Sequence, residues 1–400
     1  MVVNNKMFEC SRCLYTYEHP FGLTFDSNGC CSGCLIHDEK DTLDWDARLN
    51  ELQSIVKPYR SKQGNHDCII HIDGTAQSYY VVHLATEVLG LNPLLVNYNS
   101  HFLTDVGIKN IAQLITRFDK NFYQYTSAPS DYINLVKHSI QKLNSVYWPY
   151  LAGKTSLPYR LAAKMKIPLV INGACQTVEQ VGMFSHTDNI EYSRWYRKQH
   201  DLLGVDESDF LTASGSINEN LFNSLRYPDD EDINDIGIRG IFLSNYIRWD
   251  PFLHNIEMLK YGFTPQSNKR SFDTFENAGC SVYFGMHDIL RKITCGHSKA
   301  REHLSREIRF GRISKENAII YYNHYLKMDA SNDVNSFFDW LQVGAEGRYW
   351  LMEILYKQTD MDFLFKKNSS SEVLMPKIFS EFKTSAKVPV ALFKLFGKGI

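Results

Sequence analysis

The 400-residue sequence has no long apolar segment and almost no net charge. No stretch of eighteen uninterrupted apolar residues occurs in it, and its N-terminus lacks the apolar core that a signal peptide needs. These two absences predict a soluble, cytoplasmic chain. Because 43 basic residues stand against 45 acidic residues, no overall field attracts the chain to nucleic acid or to an anionic membrane. We therefore expect no nucleic-acid partner, and any anionic ligand must be bound locally.

Cysteine is scarce over most of the chain. Only four of the nine cysteines lie beyond residue 34, which argues against a disulfide framework. The other five include two pairs, Cys10-x2-Cys13 and Cys31-x2-Cys34, and Cys30 is left as a spare thiol. Each pair can present two sulfurs to one tetrahedral zinc ion. The spacing predicts a closed, structural zinc site formed by Cys10, Cys13, Cys31 and Cys34.

The pattern of apolar residues divides the chain into five parts. They are a zinc-ribbon-like module over residues 1–43, a linking helix over 44–62, an α/β domain over 63–200, a helical part over 201–330, and a helical extension with a basic amphipathic tail over 331–400. In the α/β domain, short apolar runs at 68–72, 93–98 and 167–173 alternate with helical stretches. This alternation predicts a doubly wound, mostly parallel sheet with helices on both faces.

Ligands of such sheets bind at the carboxyl ends of the strands, so we expect segments 73–78, 97–105 and 172–180 to converge on one crevice. The first segment is a strand-to-helix turn, where backbone N–H groups and a helix N-terminus can bind phosphate. The candidate ATP- or phosphate-binding residues of these segments are Asp73, Gly74, Thr75, Gln77, Ser78, Asn97 and Asn99.

Further motifs, which lie in order between about residues 8 and 325, point to a known family. They include Leu23-Thr24-Phe25-Asp26, Tyr59-Arg60-Ser61-Lys62, the run GLNPLLVNYN at 90–99, Trp249-Asp250-Pro251, Gly285-x-His287-Asp288, Ala300-x-x-His303 and Gly311-Arg312-x-Ser314. Together with the two cysteine pairs, these motifs resemble the N-acetyl sugar amidotransferase family. This is the WbpG/PseA group of surface-polysaccharide and flagellin-glycan enzymes.

The resemblance implies a PP-loop fold, that of the N-type ATP pyrophosphatases and of adenine nucleotide alpha hydrolase-like proteins. It also implies that ATP, with Mg²⁺, adenylates the acetamido oxygen of a nucleotide-activated N-acetyl sugar. Ammonia from a HisH/HisF-like glutaminase pair would then displace AMP and leave an acetamidino sugar. Because an amide oxygen is a poor leaving group, adenylation would supply the driving force before ammonia attacks.

The chain departs from the family pattern in the predicted crevice. The family's Ser-Gly-Gly-x-Asp-Ser loop reads Asp73-Gly74-Thr75-Ala76-Gln77-Ser78 here. A carboxylate in the first position would face phosphate oxygens at a cost of about 1 kcal/mol or more, and Gln77 cannot supply the charge of a magnesium-binding aspartate. The family's Cys-Trp-x-Cys-His motif has become YWPYL at 147–151, and Ala174 replaces a glutamate.

Two hypotheses about function follow from these departures. One is an active amidotransferase-like enzyme, which the length of the resemblance favours. The other is a catalytically lapsed paralogue that binds a sugar nucleotide or partner proteins, which the altered loop favours. A third and weaker hypothesis is a changed reaction that no longer hydrolyses ATP.

The catalytic candidates are Glu179, His287, Asp288 and His303. Glu179 is retained from the family pattern. The two histidines with Asp288 could form a base with an orienting carboxylate, although ion-paired helix histidines explain them equally well. Cys175 invites comparison with a glutaminase nucleophile, but a buried structural thiol is the favoured interpretation.

Two basic segments could also meet anionic partners. A helix with Lys299, Arg301, Arg306, Arg309 and Arg312 could bind the diphosphate of a sugar nucleotide, but a solvated face neutralised by Glu302 and Glu307 is favoured. The basic tail from residue 375 could touch a membrane, and docking on its own domain is the favoured alternative.

Overall fold

The computed structural model describes residues 9–61, 64–211, 218–267, 269–280 and 282–356. The predicted amphipathic tail lies outside the described residues. Among the helices within these ranges, none is long and apolar enough to cross a membrane.

The N-terminal module contains little regular structure. Residues 23–25, which look strand-like in sequence, form only a bridge between Phe25 and Cys31. A short helix, α1 (Ser32–Asp38), begins at the second cysteine pair. The predicted linking helix is α2 (Trp45–Val56), and the Asp44 side chain accepts a hydrogen bond from the backbone N–H of Ala47 at its start.

The centre of the molecule is a five-stranded sheet, which confirms the predicted α/β class. Its strands are β1 (Cys68–His71), β2 (Pro93–Tyr98), β3 (Phe122–Tyr125), β4 (Leu169–Asn172) and β5 (Arg239–Phe242). The order is β3-β2-β1-β4-β5, and every neighbouring pair is parallel. Neither β3 nor β5 was predicted from the sequence. The short strand β3 is partly exposed at the edge of the sheet, and β5 begins with Arg239 and Gly240, so neither forms a continuous apolar run.

The connections between the strands create a switch point at the middle of the sheet. The chain runs from β1 outward to β2 and β3, and it then crosses back to β4 on the other side of β1. The register there pairs Ile70 with Ile171. In sheets of this kind a crevice opens between two such strands at their carboxyl ends. The loops after β1 and β4 therefore flank the expected binding site.

Helices cover both faces of the sheet. Those up to β5 are α3 (Ala76–His83), α4 (Asp105–Phe118), α5 (Pro129–Leu143), α6 (Trp148–Met165), α7 (Gln176–Glu179), α8 (Arg194–Tyr196), α9 (Glu207–Leu211), α10 (Glu219–Leu225) and α11 (Asp230–Ile236). The acidic run at 229–232 lies at the start of α11, where negative charge interacts favourably with the helix dipole.

Within the described residues, six α-helices follow β5. They are α12 (Pro251–Met258), α13 (Asp288–Cys295), α14 (Lys299–Arg309), α15 (Lys315–Leu326), α16 (Ser331–Trp340) and α17 (Gly344–Tyr356).

Alternate residues of the strands enter two separate cores. Ile69 and Val170 point to the core shared with α5 and α6, whereas Ile70 and Ile171 point to the core shared with α3, α4 and α12. Because both faces are buried there, the central strands β1, β2 and β4 read as nearly continuous apolar runs in the sequence. The sheet is thereby fixed between two layers, and its carboxyl edge is a rigid platform for the site.

Candidate functional site

A cavity of about 460 Å³ lies at the carboxyl ends of the central strands. Its wall includes residues 73–78 after β1 and 172–180 after β4, together with Ser100 and Leu103 from the segment after β2. The three segments that the sequence predicts to converge do so here. The opposite wall comes from residues 276–310, and the N-terminal module contributes Tyr15, Phe21, His37 and Lys40.

The side chain of Asp73 uses the hydrogen-bond donors of its own loop. Its Oδ1 accepts from the hydroxyls of Thr75 at 2.7 Å and Ser78 at 2.8 Å, and its Oδ2 lies 3.3 Å from Lys154 Nζ. Burial opposes ionisation of this carboxyl, but Lys154, His71 and the two hydroxyls outweigh it and lower the pKa of Asp73. An ionised carboxylate thus occupies the donors that a phosphate would need.

The backbone of the same loop keeps its tight packing. Gly74 has a φ of +76°, and a Cβ there would lie 2.5 Å from the Gly107 carbonyl oxygen. A Cβ on Gly279 would lie 2.7 Å from the Asp73 carbonyl oxygen. The loop is therefore held between α4 and the segment before α13, and it retains the glycine that its path requires.

Glu179 belongs to a buried charge network. Its Oε2 lies 2.5 Å from Lys40 Nζ, and its Oε1 lies 3.4 Å from His186 Nε2. The other ring nitrogen of His186 lies 3.2 Å from Glu39. Burial raises the pKa of Glu179, but Lys40 and His186 outweigh that effect and lower it overall. Glu179 lines the cavity, and its carboxylate also joins the N-terminal module to the sheet domain.

The predicted histidine pair with Asp288 does not form one cluster. His287 lines the cavity and stacks on Tyr147 with ring centroids 4.8 Å apart, and burial followed by Arg291 and Lys299 lowers its pKa. Asp288 instead accepts a hydrogen bond from the backbone N–H of Lys299 at 2.6 Å. The Asp288 carboxylate therefore binds the backbone of the first residue of α14.

His303 lies in a separate part of the wall. Its Nδ1 is 2.6 Å from Ser271 Oγ, and its Nε2 is 3.1 Å from Glu276. Asp273, Glu276 and His303 are close enough together to hold a metal ion. However, Arg306 already contacts both carboxylates, at 2.8 and 3.2 Å. The cluster is therefore an ion-paired network around the Arg306 guanidinium.

Asn97 and Asn99 lie at the end of β2, outside the cavity wall. Asn97 donates to the Ile72 carbonyl at 2.7 Å and accepts from Gln124 at 2.9 Å. Asn99 contacts Thr126 at 3.3 Å. Both amides hold neighbouring strand ends together, and their predicted role in nucleotide binding finds no support in this placement.

The basic residues of the segment 299–312 are buried at Lys299, Arg301 and Arg309 and partly buried at Arg306 and Arg312, which corrects the expectation of a solvated face. The predicted neutralisation holds: Glu302 pairs with Lys299, and Glu307 contacts Arg306 and Arg312. Lys299, Arg306 and Arg309 also line the cavity. The face was misassigned because its charges neutralise one another inside the protein, and a sequence pattern does not distinguish that arrangement from a surface.

The four predicted cysteine ligands converge in the N-terminal module. Their sulfurs lie within 4.8 Å of one another, with 3.7 Å between Cys13 and Cys31 and 4.0 Å between Cys10 and Cys34. Ligands about 2.3 Å from a tetrahedral zinc ion stand about 3.8 Å apart, so this set could bind zinc. The backbone N–H groups of Cys13 and Cys31 also donate to the Cys10 sulfur, as suits a thiolate.

Arg309 connects this cysteine cluster to the cavity. Its guanidinium lies 3.8 Å from the Cys31 sulfur and donates to the Gln180 carbonyl at 2.7 Å. A Cβ on Gly33 would collide with the same guanidinium, so the module packs closely against it. Lys40 and Arg309 therefore belong to the site although no sequence motif marks Lys40.

Part of the chain is similar to a known protein family. A family model described as LPS biosynthesis protein WbpG-like, C-terminal domain, matches residues 249–378. The match confirms the resemblance to WbpG-like proteins. No curated protein matches the chain significantly. Among solved structures, the chain is similar to NMN synthetase from Francisella tularensis, with 16% identity and a TM-score of 0.24, over 49% of this chain and 93% of that chain.

Proposed function

From the WbpG-like match over residues 249–378, we propose that this chain acts in the cytoplasm in the biosynthesis of a surface polysaccharide such as LPS O-antigen, or of a flagellin glycan. Its activity would be that of an amidotransferase-like protein. The substrate would be a nucleotide-activated N-acetyl sugar, whose acetamido group becomes an acetamidino group with ATP and ammonia.

One observation carries this proposal. The matched region supplies Glu276, His303 and Arg306 to the same cavity that the loop after β1 borders from the other side. A cavity of about 460 Å³ falls in the size range of ligand sites, which is about 300–1,000 Å³. Its wall also carries Lys154, Lys299 and Arg306, which are ion-paired with Asp73, Glu302 and Glu276, so a ligand that carries phosphate would have to compete with these carboxylates.

We also propose two metal cofactors, zinc and magnesium, and a glutaminase partner. Cys10, Cys13, Cys31 and Cys34 would hold a structural zinc ion, which fixes the module that supplies Lys40. Magnesium would accompany ATP. Ammonia would come from a HisH/HisF-like glutaminase pair.

The Asp73 carboxylate favours a second candidate function. Because Asp73 holds the hydroxyls of Thr75 and Ser78, a triphosphate has to displace it before it can use the loop. The second candidate is a paralogue that binds the sugar nucleotide or partner proteins and no longer cleaves ATP.

One assay separates the two candidates. Purified protein is given ATP, Mg²⁺, ammonium and a UDP-N-acetyl sugar, and AMP release and ATP binding are measured. Release at enzymatic rates, lost in Ser78→Ala, would establish the first candidate and exclude the second. Sugar-nucleotide binding without ATP binding at millimolar concentration would establish the second and exclude the first.

A further inference from the structure

Five carboxylates line the cavity, and one of them differs from the others. Four are in ion pairs, namely Asp73 with Lys154, Glu179 with Lys40, Glu276 with His303 and Arg306, and Glu302 with Lys299. The fifth is Asp201. Within the described residues, no cation lies at ion-pair distance from it, and the Tyr192 hydroxyl donates to its Oδ2 at 2.6 Å.

The surroundings of Asp201 explain why it stays outside the ion pairs. It ends a π-helical turn, Arg197–Asp201, that continues α8. Arg197, in the same turn, is directed to Glu207 at 2.8 Å and to the Ala152 and Leu225 carbonyls. Lys154 is held by Asp73. The nearest cations are thus already used by other partners.

The charged and titratable groups that act on Asp201 from the packed elements are Lys154, Arg197, Tyr159, Tyr192, Tyr196 and Tyr227. Burial dominates and raises the pKa of Asp201 to about 6, against the opposing effects of Tyr192, Lys154 and Arg197. The other four cavity carboxyls have lowered pKa values because of their cations. A group that titrates near the working pH is the one suited to proton transfer.

We propose that Asp201 is the acid–base residue of this cavity, oriented by the Tyr192 hydroxyl. This proposal rests on the proposed amidotransferase function. When the nitrogen of ammonia forms its bond to the adenylated acetamido carbon, one N–H proton passes to the Asp201 carboxylate. The bond from that carbon to the AMP oxygen breaks, and AMP leaves with the electron pair. The products are the amidine, AMP and the protonated Asp201 side chain, so atoms and charge are conserved.

The first test needs no turnover. The carboxyl groups of the full-length protein are followed by NMR of ¹³C-labelled aspartate as the pH is varied. We expect one resonance that titrates near pH 6, is missing in Asp201→Asn and moves to higher pH in Tyr192→Phe, because that variant loses a hydrogen bond to the ionised form. Titration of this resonance near pH 4 would overturn the proposal.

The second test measures catalysis and keeps the two claims apart. Asp201→Asn should lower the amidine-forming rate about a hundredfold or more with little change in the KM of the sugar nucleotide. The wild-type rate should fall as the pH drops through about 6. Asp235→Asn, at an exposed position of α11, should change neither value. An unchanged rate and pH profile in Asp201→Asn would refute the role of Asp201, whereas a wild-type protein without any AMP release would refute the proposed function.

Discussion

The cysteine cluster and the loop after β1 are the two sites that the sequence marks most clearly, and they differ in how fully they match the WbpG-like pattern that the sequence resembles. The cluster keeps all four ligands, close together and buried. The loop keeps its glycine turn and its place at the switch point, but Asp73 has replaced the small first residue and binds the donors of the loop. All four residues suited to a structural metal are therefore present in one region, whereas a carboxylate occupies the hydroxyl donors of the other.

The N-terminal module, which contains the cysteine cluster, is in direct contact with the sheet domain, which contains the loop after β1. Lys40 of the N-terminal module and Glu179 of the sheet domain form a buried ion pair, and Arg309 contacts both the cysteine cluster and the segment after β4. A module held this closely supports one wall of the cavity. The cysteine cluster can therefore matter for the shape of the cavity independently of the loop after β1.

The largest effect should come from breaking the cysteine cluster. Cys31→Ser should lower the zinc content from one equivalent to less than half an equivalent. It should also destabilise the protein by about 3 kcal/mol or more, because metal binding contributes directly to folding. Metal analysis and urea denaturation measure both. Cys30→Ser is the matched control, since Cys30 lies next to Cys31 outside the four-sulfur set, and it should keep its zinc. Wild-type protein purified with less than half an equivalent would contradict the zinc assignment.

The next largest effect should come from the ion pair that joins the two regions. Lys40→Met leaves the Glu179 carboxylate buried without its main cation, and we expect a loss of about 3–5 kcal/mol in the free energy of unfolding. The exposed pair Lys260–Glu257 offers a control, because Lys260→Met should cost less than about 1 kcal/mol. Equal losses in the two variants would show that Lys40 does not hold the module in place.

The same pair predicts a dependence on pH. Since the folded-state pKa of Glu179 is lowered, its stabilising contribution is complete above the ordinary glutamate pKa of about 4.3. It is lost as the pH falls through the lowered value. The stability difference between wild type and Lys40→Met should therefore shrink on acidification, which denaturation at a series of pH values would reveal.

A smaller effect is expected from restoring the loop. Asp73→Ser removes a negative charge and frees the hydroxyls of Thr75 and Ser78, so the affinity for Mg-ATP should rise about tenfold, which corresponds to about 1.4 kcal/mol. Calorimetric titration measures this change, with Asp235→Asn as a control for loss of a distant carboxylate. If ATP bound to wild type and Asp73→Ser equally well, the carboxylate would not obstruct the loop.

The cysteine cluster and the loop after β1 also differ from the rest of the site in how far the sequence predicts them. Spacing alone located the cysteine ligands, because the two pairs are local motifs whose geometry is set by short turns. The alternation of apolar runs predicted the parallel sheet and the convergence of its loops. The approach of Lys40 to Glu179 joins residues 139 positions apart in the sequence, and no periodic pattern encodes such a contact. Asp201 was missed because it is distinguished, among the described residues, by the lack of a cation at ion-pair distance, and only the packed arrangement reveals this.

The smallest effect should come from Cys175, the buried thiol in the segment after β4. Cys175 is buried, it contacts Thr177 Oγ1 at 3.2 Å and Tyr196 at 3.5 Å, and burial is the main cause that raises its pKa. Its thiolate is therefore scarce at neutral pH, in contrast to a catalytic nucleophile. Cys175→Ala should lower the free energy of unfolding by about 1 kcal/mol and leave zinc content and ligand binding unchanged.

Iodoacetamide should label Cys175 in the wild-type protein much more slowly than it labels free cysteine, as measured by mass spectrometry. Rapid labelling at this position, together with glutamine hydrolysis that Cys175→Ala abolishes, would instead make the crevice the source of its own ammonia and remove the need for a glutaminase partner.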